Sequence, residues 1–310
     1  MADNENASTT RFLVSGLINV ETTLQIDQFP NEYIPVRYPF YGISISVSGV
    51  GLNLARALAV LGNDVQLISI IGQDYAGQIA REATCHPRID GSGILALITE
   101  TPQSLILYDR EGKRQINVDL KDVQEQIYPI DCYLTKFDSC DAVILCNINF
   151  SRPFLRHAKD SGNLFATDVH AVSGLDNTYD RDFMAAADIL FMSDEQLPCP
   201  AEEWLDQVMA TYKARIVVIG MGSKGALMAD RDADIIEHFP AVSTRPVINT
   251  IGAGDALFAS FMHAYMKSHN VRESLNRAMI FASYKIGTNG AAAGFVSDKQ
   301  LQELVEQFYK

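Results

Sequence analysis

The residues with the clearest chemical potential lie at 249–262, NTIGAGDALFASFM, where a glycine turn is followed directly by an aspartate. Apolar residues continue after it with helical spacing, so the turn formed by Gly252, Ala253 and Gly254 is expected to open a helix. The first N–H groups of a helix have no partner inside it, and together with the helix dipole they form an anion-binding site. Asp255 would lie beside the anion, either as a proton acceptor or simply as a favourable acidic residue in the first turn.

Three other glycine-rich turns lie elsewhere in the chain. SGVGLN at 48–53 opens a second helix, GQDYAG follows at 72–77, and VVIGMGSKGALM at 217–228 predicts a strand, a glycine turn and another strand. Any one of them is weak evidence, because tight turns need glycine in any case. Together, and in this order on one chain, they form a specific pattern.

The elements that must position these turns alternate along most of the chain. Between Val50 and Leu61, leucines recur at the spacing of one buried helix face, and residues 201–212 have a similar helical pattern. RFLVSGLINV at 11–20 is interpreted as a strand. Further continuously apolar strands are predicted at 65–71, 142–146, 164–168, 188–192 and 215–220. Apolar strands separated by helices predict a parallel sheet covered on both faces, so the fold class is α/β with a sandwich core.

Two stretches depart from this alternation of apolar strands and helices. Residues 32–49 and 94–118 alternate polar and apolar side chains, which predicts strands with one face solvated or covered by a partner. An Arg-Glu-Gly-Lys turn at 110–113 divides the second stretch. We interpret lid segments at about 21–48 and 94–120 as a small sheet that stands off the main domain.

Composition and charge exclude several classes of protein. Lys and Arg number 25 against 38 Asp and Glu, a net charge of −13, so the chain is expected to bind neither nucleic acid nor anionic membranes. No apolar run approaches the ~18 residues that span a membrane, and the first ten residues lack the order of a signal peptide. A soluble, cytoplasmic protein is expected. The cysteines have no metal-ligand spacing and are predicted to be scattered reduced thiols: Cys85, Cys132, Cys140, Cys146 and Cys199.

These motifs resemble those of the ribokinase-like PfkB carbohydrate kinases over nearly the whole chain. SGVGLN at 48–53 is similar to the N-terminal family pattern of two glycines followed by Asn, and NTIGAGD at 249–255 is similar to the C-terminal DTxGAGD signature. The resemblance implies a single PfkB-type kinase domain spanning 1–310. It also implies a three-layer α/β sandwich with a mostly parallel central sheet and a small β-sheet lid.

The resemblance further implies ATP and Mg²⁺ as cofactors, with transfer of the γ-phosphoryl group to a hydroxyl of a sugar. Asp255 would take the proton from that hydroxyl, and the amides from Gly252 to Gly254 would stabilise the charge on the transferred group. The stretch 278–291 would close over the adenine. The nucleotide-binding residues implied are Gly220, Gly222, Ser223, Lys224, Gly225 and Ser193.

The acceptor side resembles the family at residues 16–21. Relatives usually carry Asn or a similar residue and then Asp at the end of this element, whereas this chain has Asn19 and Glu21. Either the longer arm of Glu21 reaches a smaller or shifted substrate, or Glu21 has no substrate role. The substrate-binding residues implied are Asn19, Glu21, Gly49, Gly51, Asn53 and Asp255.

Three departures from the family pattern concern ions and the first glycine turn. The family's NxxE element aligns with 193–196 and has lost its Asn and Glu, although Asp194 and Glu195 could still hold Mg²⁺ indirectly. Asn249 replaces an Asp that helps to hold a monovalent cation in many relatives, so activation by K⁺ is not expected. Ser48 replaces a glycine. None of these changes affects Asp255 or the turn before it.

Several alternatives remain open at this point. The acceptor could be a sugar, a nucleoside such as pseudouridine or inosine, or a sugar phosphate, which would need cations nearby. Arg37, Lys113 and Arg114 fall in the lid, where we interpret them as solvated charges. The altered element at 193–196 favours a catalytically weak ligand-binding relative, whereas the intact 252–255 argues against it. A Rossmann dehydrogenase is disfavoured, because no GxGxxG follows the first strand.

The lid also predicts that two chains associate. Alternation at 43–47 and 105–108 gives each strand an apolar face, and a small projecting sheet cannot bury both faces on its own domain. We therefore expect a homodimer formed through the lid. The alternative is a monomer whose lid packs on its own core.

Overall fold

The computed structural model describes residues 9–111 and 113–308, and two sheets organise it. In chain order the strands are β1 (Arg11–Ser15), β2 (Asn19–Gln25), β3 (Ile43–Ser48), β4 (Asp64–Gly72), β5 (Ile89–Ile98), β6 (Gln103–Tyr108), β7 (Arg114–Asp119), β8 (Ala142–Leu145), β9 (Leu164–Ala171), β10 (Ile189–Ser193), β11 (Ile216–Gly220), β12 (Ala226–Asp230) and β13 (Ile235–Phe239). The central sheet has the order β13-β12-β11-β10-β9-β8-β1-β4-β5. From β11 to β5 its strands pair in parallel, while β12 and β13 are antiparallel. The carboxyl ends of the parallel strands therefore meet at one edge of the sheet.

Helices cover both faces of the central sheet. In chain order they are α1 (Val50–Val60), α2 (Tyr75–Ala83), α3 (Leu134–Asp138), α4 (Pro153–Ser161), α5 (Arg181–Ala186), α6 (Ala201–Thr211), α7 (Ala253–Ser268), α8 (Val271–Lys285) and α9 (Asp298–Phe308). Successive strand residues point to opposite faces, so Phe12 joins one hydrophobic core and Leu13 the other. The first core takes in α1, α2 and α7 to α9, and the second takes in α3 to α6. The predicted three-layer α/β sandwich is confirmed.

The remaining four strands form a separate sheet, the lid sheet, with the order β3-β2-β6-β7. Strand β2 pairs in parallel with β6, and the two outer pairs are antiparallel. The inner face carries the buried polar residues Asn19, Glu21 and Ser104, whereas Ile45 and Leu105 on the outer face are 69% and 44% exposed. The buried face of β2 is thus polar, although Ile106 of β6 is buried as well, and the outer face of the lid sheet exposes apolar side chains.

The structure differs from the sequence-based expectation in three segments. Residues 11–20 are two strands in different sheets, because the chain turns at Gly16, where an added Cβ would lie 2.8 Å from the Cα of Gly51. Residues 32–42 form no strand; Pro35 and Pro39 lack the N–H that a ladder needs. Residues 94–98 belong to β5 of the central sheet rather than to the lid, because they pair with β4.

The connection from the central sheet into the lid sheet is fixed at Thr101. Its hydroxyl donates to Asp74 Oδ1 (2.6 Å) and accepts from the Gly72 N–H (2.9 Å), while its N–H donates to Asp74 Oδ2 (3.1 Å). Asp74 also caps α2 by accepting from the Gly77 N–H. Gly72 has no room for a side chain, since a Cβ would lie 2.3 Å from the Thr101 nitrogen. The glycine turn at 72–77 therefore anchors the base of the lid sheet.

Some expectations concern residues whose structure is not described. The first eight residues lie outside the described ranges, as does Gly112 in the turn expected at 110–113 and the side chain of Cys132. Cys85, Cys140, Cys146 and Cys199 are free thiols, of which Cys140 and Cys146 are buried. Within the described ranges, no helix is long and apolar enough to cross a membrane.

Candidate active site

The glycine turn at 252–254 opens α7 as expected. Gly252 adopts the left-handed conformation (φ 74°), and a Cβ there would lie 2.8 Å from the Ala291 oxygen, so this position needs glycine. Gly254 is exposed, and a Cβ added there would meet no atom within 4 Å. The approach to the Gly254 amide is therefore unobstructed, as an anion site requires. The Ala253 N–H, which was also expected to face the anion, instead donates to the Thr250 oxygen at 3.2 Å.

The start of α1 faces the start of α7. Gly49 precedes α1 with φ 104°, and a Cβ there would lie 2.4 Å from the Leu17 oxygen. Only glycine can therefore occupy this position without a steric clash. Asn53, in the first turns of α1, donates from Nδ2 to Asp255 Oδ2 at 2.6 Å, and Ser48 Oγ donates to Asn53 Oδ1 at 3.4 Å. The structure thus brings together predicted site residues more than 200 positions apart in the chain.

Asp255 is a buried carboxyl, and its burial raises its pKa. His170, the hydrogen bond from Asn53 and Lys285 act in the opposite direction, whereas the nearby Asp168 raises the pKa further. A carboxyl with a raised pKa is a stronger base once it is ionised. Asp255 therefore has the electrostatic setting that suits a general base.

The inner face of the lid sheet presents two buried oxygens towards this site. Asn19 donates from Nδ2 to Ser104 Oγ, while Asn19 Oδ1 and Glu21 Oε1 are buried and have no hydrogen-bond partner. Burial also raises the pKa of Glu21, and Ser48, Lys285 and Asp255 all act on this carboxyl. Two unpartnered acceptors on one face of the lid sheet, one of them on a carboxyl that interacts with Asp255, could accept hydrogen bonds from a ligand.

The loop between β11 and β12 has the geometry expected of a glycine turn. Gly222 has φ 56° and Gly225 has φ 100°, and a Cβ on Gly225 would lie 1.9 Å from the Phe239 oxygen. Beside this loop is an open cleft of about 470 Å³, whose lining includes Asp194, Glu202, Lys224 and His238. The cleft joins the loop to the altered element at 193–196.

Arg114 reaches from the lid sheet to the central domain. It donates from Nη1 to Thr250 Oγ1 (2.6 Å) and from Nη2 to Glu195 Oε1 (3.1 Å). The interpretation of Arg114 as a solvated charge was therefore wrong. Lys113 fits that interpretation, because its side chain is exposed and lies 3.5 Å from Glu111 Oε2.

A comparison with known families decides what kind of protein this arrangement belongs to. The model of the pfkB family of carbohydrate kinases matches residues 40–298. The chain belongs to the PfkB family. Members transfer a phosphoryl group to a hydroxyl of a sugar or nucleoside, with ATP as the donor in ribokinase-family kinases.

Relatives and solved structures agree with this membership along almost the full length. This PfkB-family chain is 27% identical to the ATP-dependent ribose-1-phosphate kinase of Halopiger xanaduensis, over 96% of this chain and 99% of that one. A microbiome-derived acarbose kinase shares its fold with a TM-score of 0.84 and 24% identity. Ribokinase of Arabidopsis thaliana, solved with ribose and ATP, does so with a TM-score of 0.79 and 20% identity. Each alignment covers 96% of this chain and 99% of the other.

Sequence reasoning missed three ionisable residues that lie near Asp255. Lys285 is fully buried on α8, and its ammonium donates to the Ile251 carbonyl. Asp168 and His170 lie in β9, and the His170 N–H donates to Asp168 Oδ1 at 2.8 Å. The available signals were a single charged residue, Lys285, in the mostly apolar stretch at 278–286 and an Asp-His pair at the end of a buried strand.

A metal ion at this site would have to be held mainly by the nucleotide. Among the described residues, no group of three His, Cys, Asp or Glu side chains could hold a metal ion on its own. Mg²⁺ is usually bound through one or two carboxylates together with substrate phosphates. Asp194, on the cleft wall, and Glu195, bonded to Arg114, fit such a partial role.

Proposed function

We propose that this chain is an ATP-dependent kinase that transfers the γ-phosphoryl group to a hydroxyl of an unphosphorylated sugar, with Asp255 as the general base. The observation that carries the proposal is the pair of buried, unpartnered oxygens on Asn19 and Glu21, two residues on one face of β2, of which Glu21 interacts with Asp255. A buried acceptor without a partner is costly, and sugar hydroxyls are donors that would satisfy both oxygens. Asn53 would orient Asp255 through their hydrogen bond.

In the proposed reaction, the acceptor hydroxyl gives its proton to Asp255 as its oxygen attacks the γ-phosphorus. The new O–P bond forms while the bond from the γ-phosphorus to the β,γ-bridging oxygen breaks, and ADP leaves with that electron pair. The N–H groups of Gly252 and Gly254 would stabilise the charge on the equatorial oxygens, whereas the Ala253 N–H already donates to the Thr250 oxygen. The lid sheet would exclude water, which favours transfer to the sugar over hydrolysis.

The nucleotide would lie along Gly220 to Gly225, with Ser193 nearby and Lys224 in the cleft beside the loop. The stretch at 278–291 would enclose the adenine. Mg²⁺, brought with ATP, would neutralise the β- and γ-phosphates, and Asp194 and Glu195 would hold it through water.

A second candidate acceptor is a pentose 1-phosphate. The 27% identical relative is named as a ribose-1-phosphate kinase, and Arg114 is a cation at the edge of the site. The unphosphorylated sugar is favoured because Arg114 already bonds to Thr250 and Glu195.

A screen for ADP release with MgATP tests the proposal. The panel contains sugars, pentose 1-phosphates and nucleosides including pseudouridine and inosine, and ³¹P NMR identifies each product. We expect a neutral sugar to give the highest kcat/KM. A preference for a pentose 1-phosphate or a nucleoside would replace the sugar assignment, and no acceptor-dependent ADP release would support a weak ligand-binding relative instead.

A further inference from the structure

The buried lysine on α8 has no part in the reaction as described so far. Lys285 is fully buried, and its Nζ donates to the carbonyl oxygen of Ile251, the residue directly before Gly252. A lone ammonium is expensive to bury and is retained only where it has close anionic or dipolar partners. Its placement beside the glycine turn therefore needs an explanation.

The segment before the glycine turn rests on the end of α8. The N–H groups of Ile248 and Asn249 both donate to the Ile286 carbonyl (2.9 and 3.2 Å), and Asn249 Oδ1 accepts from the Ile251 N–H (3.1 Å). Asn249 is neutral and already bonded, so it adds no charge here. Two cations lie where the two segments meet: Arg245 donates to the Tyr284 oxygen and to Thr288 Oγ1, and Lys285 supplies the buried positive charge at the Ile251 carbonyl.

The contact with Ile251 has a consequence for the anion site. In a trans peptide the C=O and the following N–H point in opposite directions. Holding the Ile251 oxygen on the ammonium therefore turns the Gly252 N–H away from Lys285. The lysine fixes one of the amides that the proposed reaction uses.

The charge of Lys285 also bears on the two carboxyls of the site. Asp255 and Glu21 raise the pKa of Lys285, while its burial and Arg114 lower it, to about 8 overall. The ammonium in turn lowers the pKa of both Asp255 and Glu21. At neutral pH the side chain is therefore still largely charged and favours the ionised forms of both carboxyls.

We propose that Lys285 is a tethered cation that positions the peptide between Ile251 and Gly252 and balances Asp255 and Glu21, so that the enzyme needs no bound alkali ion at this place. Lys285 is a positioning residue, since it acts through the turn and the base. This inference rests on the proposed function only in its kinetic test.

The kinetic test compares two replacements of Lys285 in the full chain. Lys285→Ala removes charge and leaves a cavity for a small cation, whereas Lys285→Met removes charge and fills the space. We expect kcat to fall about ten- to a hundredfold in both, less than the hundred- to thousandfold typical of deleting a direct oxyanion donor. The KM for ATP should rise, but by a smaller factor than kcat falls, because the amide that Lys285 positions would contact the γ-phosphate of bound ATP and stabilise the transition state more strongly.

Rescue by added cations distinguishes a positioning role of Lys285 from a purely structural role. Methylammonium, NH₄⁺ or K⁺, at fixed ionic strength against choline, should raise the kcat of Lys285→Ala at least about fivefold and leave Lys285→Met and the wild type unchanged. Arg277→Ala is the matched control, because it removes another mostly buried cation from α8 that bonds to Asp298 and Gln302 instead. It should lose stability but show no rescue.

Other outcomes overturn the proposal. These are a variant with more than half of the wild-type kcat, a loss that no cation restores in Lys285→Ala, and stimulation of the wild type by K⁺. If Lys285→Ala does not fold, Lys285→Met must fold and lose kcat; failure of both to fold means that the lysine is purely structural.

A measurement of nucleotide binding tests the proposed role of Lys285 even if no acceptor is found. Isothermal titration calorimetry of ATP and ADP should show that the wild type prefers ATP and that Lys285→Met loses much of this preference. An unchanged preference contradicts the inference, whereas absence of phosphoryl transfer by the wild type contradicts only the proposed function.

Discussion

In the central sheet, β10 buries Ile189 to Met192 on both faces, whereas in the lid sheet β2 buries the polar Asn19, Glu21 and Thr23 on one face. The outer face of the lid sheet exposes Ile43 and Ile45 instead. Ordinary half-buried sheets have the opposite polarity. The central sheet is therefore organised by its own core, and the lid sheet by the buried polar residues of its inner face, while its outer face is exposed in the single chain.

The two regions also differ in how firmly they are held. The starts of α1 and α7 are fixed by glycines that tolerate no side chain and by the bond from Asn53 to Asp255. The lid sheet is anchored at Thr101 and crosses to the central domain through Arg114, whose side chain is part-exposed. We call the starts of α1 and α7 the floor of the site. Substitutions in the floor are therefore expected to change kcat, and substitutions in the lid sheet to change acceptor binding and association of chains.

The largest effect is expected for Asp255→Asn in the floor. Loss of the base should lower kcat by about 10²–10⁴-fold while ATP binding persists. The pKa of Asp255 is raised in the folded state, so its ionised form opposes folding at pH 7, and the variant should melt at a higher temperature than the wild type. Steady-state kinetics and calorimetric melting measure the two effects.

Asp298→Asn is the control for stability, because it should lower the melting temperature where Asp255→Asn raises it. Its carboxyl bonds to His263, Lys267 and Arg277. Burial raises its pKa, but the bonds from His263 and Lys267 outweigh burial and hold the pKa below the ordinary value. Its contribution to stability is present at pH 7 and lost as the pH falls through the folded pKa, so this variant should melt lower and keep its kcat. An Asp255→Asn enzyme with more than about a tenth of the wild-type kcat would refute the base assignment.

A smaller loss is expected for Glu21→Gln on the inner face of the lid sheet. A hydrogen bond to a charged group contributes about 1.5–3 kcal/mol, so kcat/KM for the acceptor should fall roughly ten- to a hundredfold. The KM for ATP should not change. In the control Glu100→Gln, whose carboxyl is exposed, neither kcat/KM for the acceptor nor the KM for ATP should change. Equal acceptor kinetics in Glu21→Gln and the wild type would mean that Glu21 has no substrate role.

A few-fold effect is expected for Arg114→Met. An ion pair that is part-exposed contributes at most about 1 kcal/mol, so kcat/KM should fall about two- to fivefold. Because the lid sheet would then close less often, ATP hydrolysis without an acceptor should rise relative to transfer. Lys113→Met, one position away and paired only with Glu111, should change neither quantity; an identical response in both variants would argue against a closing role for Arg114.

The smallest effect on turnover is expected for Ile45→Lys on the outer face of the lid sheet. We expect the wild type to be a dimer through this face, because exposed apolar strands and free edges favour association. Light scattering at micromolar concentration should show the mass of the variant halved. Ile235→Lys on β13, also at an exposed isoleucine, should leave the mass unchanged. A monomeric wild type would rule out the dimer.

The sequence predicted the floor of the site because its signals are local. A glycine turn followed at once by helical spacing marks the start of α7, and the same holds for Gly49 and α1. Those segments lie where they were expected, and the family and fold are confirmed. The catalytic and binding roles of Asp255, Asn53 and the other site residues stay predictions.

The rest of the site depends on contacts between distant segments. Nothing near Arg114 indicates that it meets Thr250, which lies 136 positions away, and nothing near Lys285 indicates Ile251. The apolar run at 94–98 could have belonged to either sheet, and its partner in β4 decided the outcome. Pairing is a property of the whole topology, which the pattern of one strand does not contain.

The parallel pairing of β2 with β6 has a consequence for the order of folding. Val20 pairs with Gln103, and the chain between them includes α1, β4, α2 and β5. Closing so long a loop has an entropic cost that is offset only once those elements have packed. The lid sheet is therefore expected to form last and to open first, with its amides exchanging hydrogen through partial unfolding that leaves α1 and α7 intact. A nascent or thermally stressed molecule would thus contain the starts of α1 and α7, with the proposed base Asp255, before it has the lid sheet that is proposed to keep water out.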